Sequence, residues 1–205
     1  MRDGRSPDGH AYWPAFPYGA YTHLDDADID DLWAFLSALQ PVDLPNRPHE
    51  RAGLATLPGA LATWRLVGFG DRGPLADPPD ATDAWVRGRY LVEAVAHCGE
   101  CHTPRSAVGA VRSRRALAGN DQPPAPAPNI TPGALPWDAD AWTHFLATGM
   151  TPDGDVTGGE MYRVIRDGTA GLSDDDRAAM AAYLMTVAPR GAPAASEEEE
   201  EEEAW

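Results

Sequence analysis

Apolar positions along this 205-residue chain recur at helical spacing, not at the alternation of half-buried strands. After Leu24, the residues Ile29, Leu32, Trp33, Leu36 and Leu39 line one helical face, with Asp25 as cap and Pro41 as stop. Asp25 and Asp28 lie where carboxylates meet the free N–H groups of a first turn. Near the C-terminus the design recurs. Ser173 and Asp176 form a Ser-x-x-Asp cap, Met180, Tyr183, Leu184 and Val187 form the stripe, and Pro189 ends it. A third helix is predicted over 87–96, where Leu91, Ala94, Val95 and Cys98 share a face. His144 falls on a further short helix. The longest apolar run, Ala178–Ala188, is about half of the roughly 18 residues of a membrane span.

Two of these segments are related. Leu24 to Pro41 aligns without gaps on Leu172 to Pro189, and six of 18 positions are identical. Upstream, Gly4-Arg5-Ser6-Pro7-Asp8-Gly9 aligns on Gly149-Met150-Thr151-Pro152-Asp153-Gly154. Collinear matches of this kind predict a repeat. Residues 1–41 then read as the back half of a module that is complete at 85–189, with 42–84 a Pro/Gly-rich linker and 190–205 an acidic tail.

Composition narrows the function. The chain has 32 acidic and 16 basic side chains, a net charge of −16, and all its basic residues are arginine. Such a chain lacks the basic face that releases counterions from nucleic acid. Two cysteines cannot staple a multi-bridge scaffold. The charge is uneven: −7 over residues 1–84, −2 over 85–190 and −7 in Glu197–Glu203. Any long-range steering is therefore expected from the acidic outer regions. The glutamate run itself is expected to be disordered.

The chemistry lies in Cys98-Gly99-Glu100-Cys101-His102. Thiols one helical turn apart suit thioether links to the two vinyl groups of one haem, and the adjacent histidine suits the iron beneath it. A thiol redox pair would follow a strand of a βαβ unit. A zinc site would need a second Cys/His pair, and a disulfide at this spacing is strained. A sixth ligand is sought among the methionines. Met180 fits a core stripe, Met185 is an ordinary helix residue, and Met150, at a turn entry, is read as a packing residue. Met161, after the Gly158-Gly159-Glu160 loop, is the candidate, ahead of His97 and His144. In the first copy Phe16 takes the place of Met161 and no Cys-x-x-Cys-His occurs, so no haem is expected there. Gly68-Phe69-Gly70-Asp71-Arg72-Gly73 fits a dinucleotide fingerprint, but Pro74, Pro78 and Pro79 bar the helix it must open.

These residues resemble the multi-haem c-type cytochrome subunits of periplasmic dehydrogenases, partners of alcohol, gluconate and aldehyde dehydrogenases and of molybdenum hydroxylases. The resemblance rests on Arg87-Gly88-Arg89-Tyr90-Leu91-Val92, on His97 to Arg105, on Pro128-Asn129-Ile130-Thr131-Pro132, and on Asp176 to Leu184. In the first copy Trp13-Pro14-Ala15-Phe16-Pro17-Tyr18 and Tyr21-Thr22 look like the family's Pro-Ala-(Met/Phe)-Pro-Tyr segment. The resemblance implies a mainly α, class I cytochrome c fold whose first and last helices cross. It is expected as one complete module plus the C-terminal half of a preceding one.

It also implies one covalently bound haem c on Cys98 and Cys101, with His102 and Met161 as iron ligands. Residues 129–132 and Trp137 are expected close to the haem, and Arg105 either faces a propionate or is a solvated surface arginine. The implied role is an electron relay, not a catalyst, from a periplasmic dehydrogenase catalytic subunit to a downstream acceptor. No nucleic acid and no transmembrane segment are expected. A haem enzyme with an open iron and a haem-free interaction module stay open as alternatives. Family members carry an export signal and a first Cys-x-x-Cys-His. Neither stands in these residues, so an N-terminal truncation is expected.

Overall fold

The computed structural model describes residues 1–48, 50, 53, 57–69, 73–121 and 126–191. The glutamate run and residues 70–72 of the glycine-rich pattern lie outside the described residues. The chain divides into two compact units, Met1–Ala76 and Asp77–Trp205. Eight α-helices and no strands occur among the described residues, with a few isolated bridges closing turns. No helix there is long and apolar enough to cross a membrane.

In the first unit, α1 (Tyr18–Tyr21) and α3 (Ala60–Gly68) surround a small core of Tyr18, Ala20, Leu24 and Phe69. Arg65 is buried there. Its guanidinium donates to Asp3 O at 2.6 Å and Gly4 O at 3.1 Å and stands 5.3 Å from the Tyr18 and Phe69 rings. Backbone carbonyls and ring faces thus receive the buried charge. Thr22 Oγ1 accepts from the Gly73 N–H. Part of the 42–84 segment therefore folds with the first segment instead of running as a plain linker. Helix α2 (Asp26–Ala38) differs: none of its residues is buried, and Trp33 is 71% exposed and Phe35 63%.

In the second unit, α4 (Asp83–Tyr90) is capped by Thr82, whose side chain accepts from Trp85 N. It continues through a π-turn, Leu91–Val95, to the cysteine motif. Helix α8 (Asp174–Leu184) starts at Ser173, whose hydroxyl accepts from Asp176 N as the sequence predicts. These two helices cross, as expected. Gly88 makes the crossing possible, because a Cβ there would lie 1.8 Å from Ala179 O. Around it Trp85 meets Tyr183 edge to face at 5.2 Å, and Arg87 grips both oxygens of Asp176. The Tyr183 hydroxyl donates to Glu93. Helix α6 (Ala139–Thr148) adds Trp142, Phe145 and Leu146 to the core, which also holds Leu91, Ile130 and Met180.

One turn occurs three times. Bridges join Arg5 to Ala11, Arg105 to Val111 and Met150 to Val156. Each turn holds a glycine at positive φ, 82° at Gly9, 78° at Gly109 and 86° at Gly154, a backbone region that L side chains rarely adopt. All three share the same backbone bonds: Gly9 N to Ser6 O and Tyr12 N to Gly4 O match Gly109 N to Ser106 O and Arg112 N to Pro104 O, and again Gly154 N to Thr151 O and Thr157 N to Gly149 O. The turns at Gly9 and Gly154 are the pair that the sequence aligns.

Candidate haem-attachment site

The motif sits where a helix is made to turn sharply. After the π-turn, Ala96 N donates to Leu91 O and Cys98 N to Val92 O. His97 adopts φ 41°, which ends the helix without glycine. The short helix α5 (Gly99–His102) then begins on Cys98, whose carbonyl accepts from His102 N at 2.9 Å. The two cysteines are not joined to each other. Cys101 is exposed and Cys98 is half-buried. Loss of solvent around its sulfur pushes the Cys98 thiol up to about 12, partly offset by a backbone N–H and reinforced by Cys101.

His102 is only 7% exposed. Its Nδ1 lies 2.8 Å from Pro128 O. A carbonyl only accepts, so Nδ1 carries the hydrogen and Nε2 is left with a free lone pair. Desolvation by burial pulls the imidazole pKa down, with the Pro128 bond opposing. A neutral, oriented ring with Nε2 bare is what a metal ligand requires.

The loop after the motif returns to it. Gly119 N donates to His102 O at 2.8 Å, and Leu117 N to the buried Thr103 Oγ1 at 3.0 Å. Arg105 is held by Glu100, bonding its carboxylate at 2.6 Å and its carbonyl at 2.8 Å, and it reaches Gly109 O at 3.0 Å. It therefore braces the motif's own turn. On the other side Asn129 Oδ1 accepts from Thr131 N, and Asn129 Nδ2 donates to Arg190 O. Ile130 is buried in the core against which Trp137 packs.

Met161 is the third residue of α7 (Gly159–Asp167), so Gly159 and Glu160, read as part of a loop before it, belong to the helix instead. The two glycines begin the helix, and Met161 and Ile165 fall one turn apart on its inner face. Met161 and Cys98 are both partly buried against the same core cluster. Of the other methionines, Met180 is fully buried as its core stripe predicts, whereas Met150, expected to pack, is 41% exposed, as is Met185. His144 is exposed on α6. Among the described residues no group of three or more His, Cys, Asp or Glu is arranged to hold a metal ion.

The residues fit a covalently held haem: two unlinked thiols one turn apart, a neutral histidine with a fixed tautomer, and a thioether side chain against the same core. The residue that sequence reasoning missed is Pro128 in its role as acceptor. Every residue carries a carbonyl, so no letter marks the one that orients His102.

Comparison with known proteins agrees. The cytochrome c family model matches residues 86–188. A diheme cytochrome c-type protein of Cereibacter sphaeroides is 42% identical over 193 residues, covering 91% of this chain and 63% of its own length. The fructose dehydrogenase cytochrome subunit of Gluconobacter japonicus is 34% identical over 192 residues, covering 91% of this chain and 39% of that protein. The gluconate 2-dehydrogenase cytochrome c subunit of Pantoea cypripedii is 31% identical over 205 residues, 94% of this chain and 46% of that protein. The chain thus spans less than two thirds of each of these relatives.

Proposed function

The chain belongs to the cytochrome c family, and from that premise we propose that it relays single electrons from a dehydrogenase catalytic subunit to a downstream cytochrome or oxidase. Bound haem c would supply the one-electron chemistry. Cys98 and Cys101 would hold it covalently. His102 Nε2 and the Met161 sulfur would hold its iron. With both in place the iron would be closed to substrate, so substrate oxidation would belong to the catalytic subunit. The observation that carries the reading is the His102–Pro128 bond, which fixes a bare Nε2 next to two free thiols.

The setting would be periplasmic, where haem c is attached. Residues 1–41 would be the back half of a second module without a haem of its own. The gapless sequence match of Leu24–Pro41 on Leu172–Pro189 supports this, and so does the uncovered apolar face of α2.

Two measurements test the proposal. A pyridine haemochrome assay on protein exported to a periplasm should give one haem per chain, and none would end the haem reading. Met161→Ala should convert a low-spin spectrum to a high-spin one. An unchanged low-spin spectrum would remove Met161 as ligand, and a high-spin wild type would favour an open-iron haem enzyme.

A further inference from the structure

The loop that orients His102 also grips the residue that follows the stop of α8. Asn129 Nδ2 donates to Arg190 O at 2.9 Å, and Arg190 N donates to Thr131 Oγ1 at 3.0 Å. Thr131 is fully buried, and a Cβ at Gly133 would lie 2.5 Å from Arg190 O. Both backbone groups of Arg190 are thus fastened to residues 129–133, directly after the Pro128 carbonyl that accepts from His102 Nδ1. Its side chain is not engaged in the same way. Arg190 Nε is buried without a hydrogen-bond acceptor, and no carboxylate among the described residues pairs with its guanidinium. Six other arginines of the same unit, Arg87, Arg89, Arg105, Arg163, Arg166 and Arg177, each pair with a carboxylate. A buried donor left without an acceptor is costly, the more so on a charged group.

We propose that Arg190 is a cofactor-binding residue whose guanidinium takes a haem propionate as its missing acceptor. The proposal rests on the haem reading above. A guanidinium keeps its proton and offers only donors, so its partner must be an acceptor, and an anionic one is favoured. Haem brings two carboxylates. The histidine that would hold its iron and the arginine that would hold its edge share one loop, through Pro128 O and Asn129 Nδ2. Arg105, the arginine that the sequence offered for a propionate, is committed to Glu100 and to Gly109 O. Arg190 stands just after Pro189, where the sequence reads as the start of the acidic tail. The pairing has a consequence for the iron. A cation beside haem opposes the additional positive charge of Fe(III) and so raises the reduction potential.

The test uses the haem-loaded full chain. In the low-spin ferrous protein, Arg190 Nε–H should give a slowly exchanging resonance with a nuclear Overhauser contact to a propionate methylene of the haem. Contacts to water alone, or to no haem proton, would overturn the proposal. Arg190→Gln removes the charge and keeps the main-chain bonds to Asn129 and Thr131. It should shift the electron-exchange equilibrium with a mediator about three- to tenfold toward Fe(III), a fall of about 30–60 mV at about 59 mV per decade. Arg190→Lys keeps the charge and should stay within about twofold of the parent. Arg47→Gln alters net charge equally in the first unit and should also stay within about twofold. A potential unmoved by Arg190→Gln, or moved as far by Arg47→Gln, would overturn the proposal.

The competing acceptor is the chain's own glutamate run, which starts at Glu197, seven residues beyond Arg190. Truncation after Gly191 separates the two. A propionate contact that persists in the truncated chain supports the proposal, whereas an Nε–H that loses its slow exchange on truncation assigns the acceptor to the tail and overturns it. The resonance is read on the parent side chain, so the test stands even if a substitution unfolds the protein. Haem content is measured on every sample first. A chain without haem refutes the haem reading itself, whereas a loaded chain without the contact refutes only the role of Arg190.

Discussion

Replacing Gly88 by alanine adds one methyl group at the closest approach of two helices. A Cβ at this position would lie 1.8 Å from Ala179 O and 2.5 Å from Ala179 C, both backbone atoms. Real Cβ atoms keep at least about 3.0 Å, so α4 and α8 must separate by about 1.2 Å or tilt by an equivalent amount. The obstacle is backbone, so no side-chain rotation relieves it. Separation would stretch the Trp85–Tyr183 contact of 5.2 Å and the Arg87–Asp176 pair. Overpacking of this severity costs about 3 kcal/mol, the upper end of the usual range. Alanine recovers about 1 kcal/mol through its higher helix propensity. The expected net loss is about 2 kcal/mol, which for a domain of this size lowers Tm by about 10 °C.

Thermal unfolding followed by circular dichroism measures this directly. Gly158→Ala is the control, since its Cβ would meet nothing within 4 Å and its φ of −116° suits any residue. A Gly88→Ala protein as stable as the parent would refute the claim that the crossing depends on a missing side chain.

Further consequences concern single groups. Thr103→Val leaves the Leu117 N–H buried without its acceptor and should cost about 1–3 kcal/mol, read as a lower urea midpoint and faster exchange of the Leu117 amide. The Asp176 carboxyl is held below its usual range, chiefly by its hydrogen bond to Arg87 and further by Ser173. Its folded pKa is depressed, so its contribution is present above about pH 4 and fades as pH falls through the folded value. Arg87 is 47% exposed, so the pair is worth under about 1 kcal/mol, and Asp176→Asn should flatten the urea midpoint between pH 2 and pH 5 by no more than that. In the haem-free chain, iodoacetamide at pH 8 should label Cys101 at least about tenfold faster than Cys98, whose thiolate is scarce below pH 12. Peptide mass spectrometry reads the ratio, and equal labelling would contradict the shielding of Cys98.

The sequence was most informative where chemistry is written in side chains. The cap at Ser173, the stripe through Met180 and Leu184, and the Cys98–His102 motif all depend on residue type at fixed spacing, and each was legible. Backbone-borne features were hidden. Gly88 reads in isolation as a weak helix residue, because the surface it admits lies 91 positions later at Ala179. The Pro128 carbonyl has no signature at all. The Gly158-Gly159-Glu160 stretch before Met161 reads as a loop, because paired glycines suggest irregular chain, whereas here they open α7. The third copy of the turn escaped notice because Ala107-Val108 stands where Pro7-Asp8 and Pro152-Asp153 stand in the others. Its geometry depends on Gly109 and on backbone bonds, which tolerate that change.

The π-turn at Leu91–Val95 takes one residue more than an α-turn to complete the same rotation. Deleting one residue there would close the turn with α geometry and leave the bearing of Cys98 and His102 nearly unchanged. Deleting one from α4 instead would swing the motif by about 100° and carry His102 away from Pro128. The wide turn is thus where the chain absorbs an extra residue without re-aiming the motif, while its buried Leu91, Val92 and Ala94 restrict what that stretch can contain.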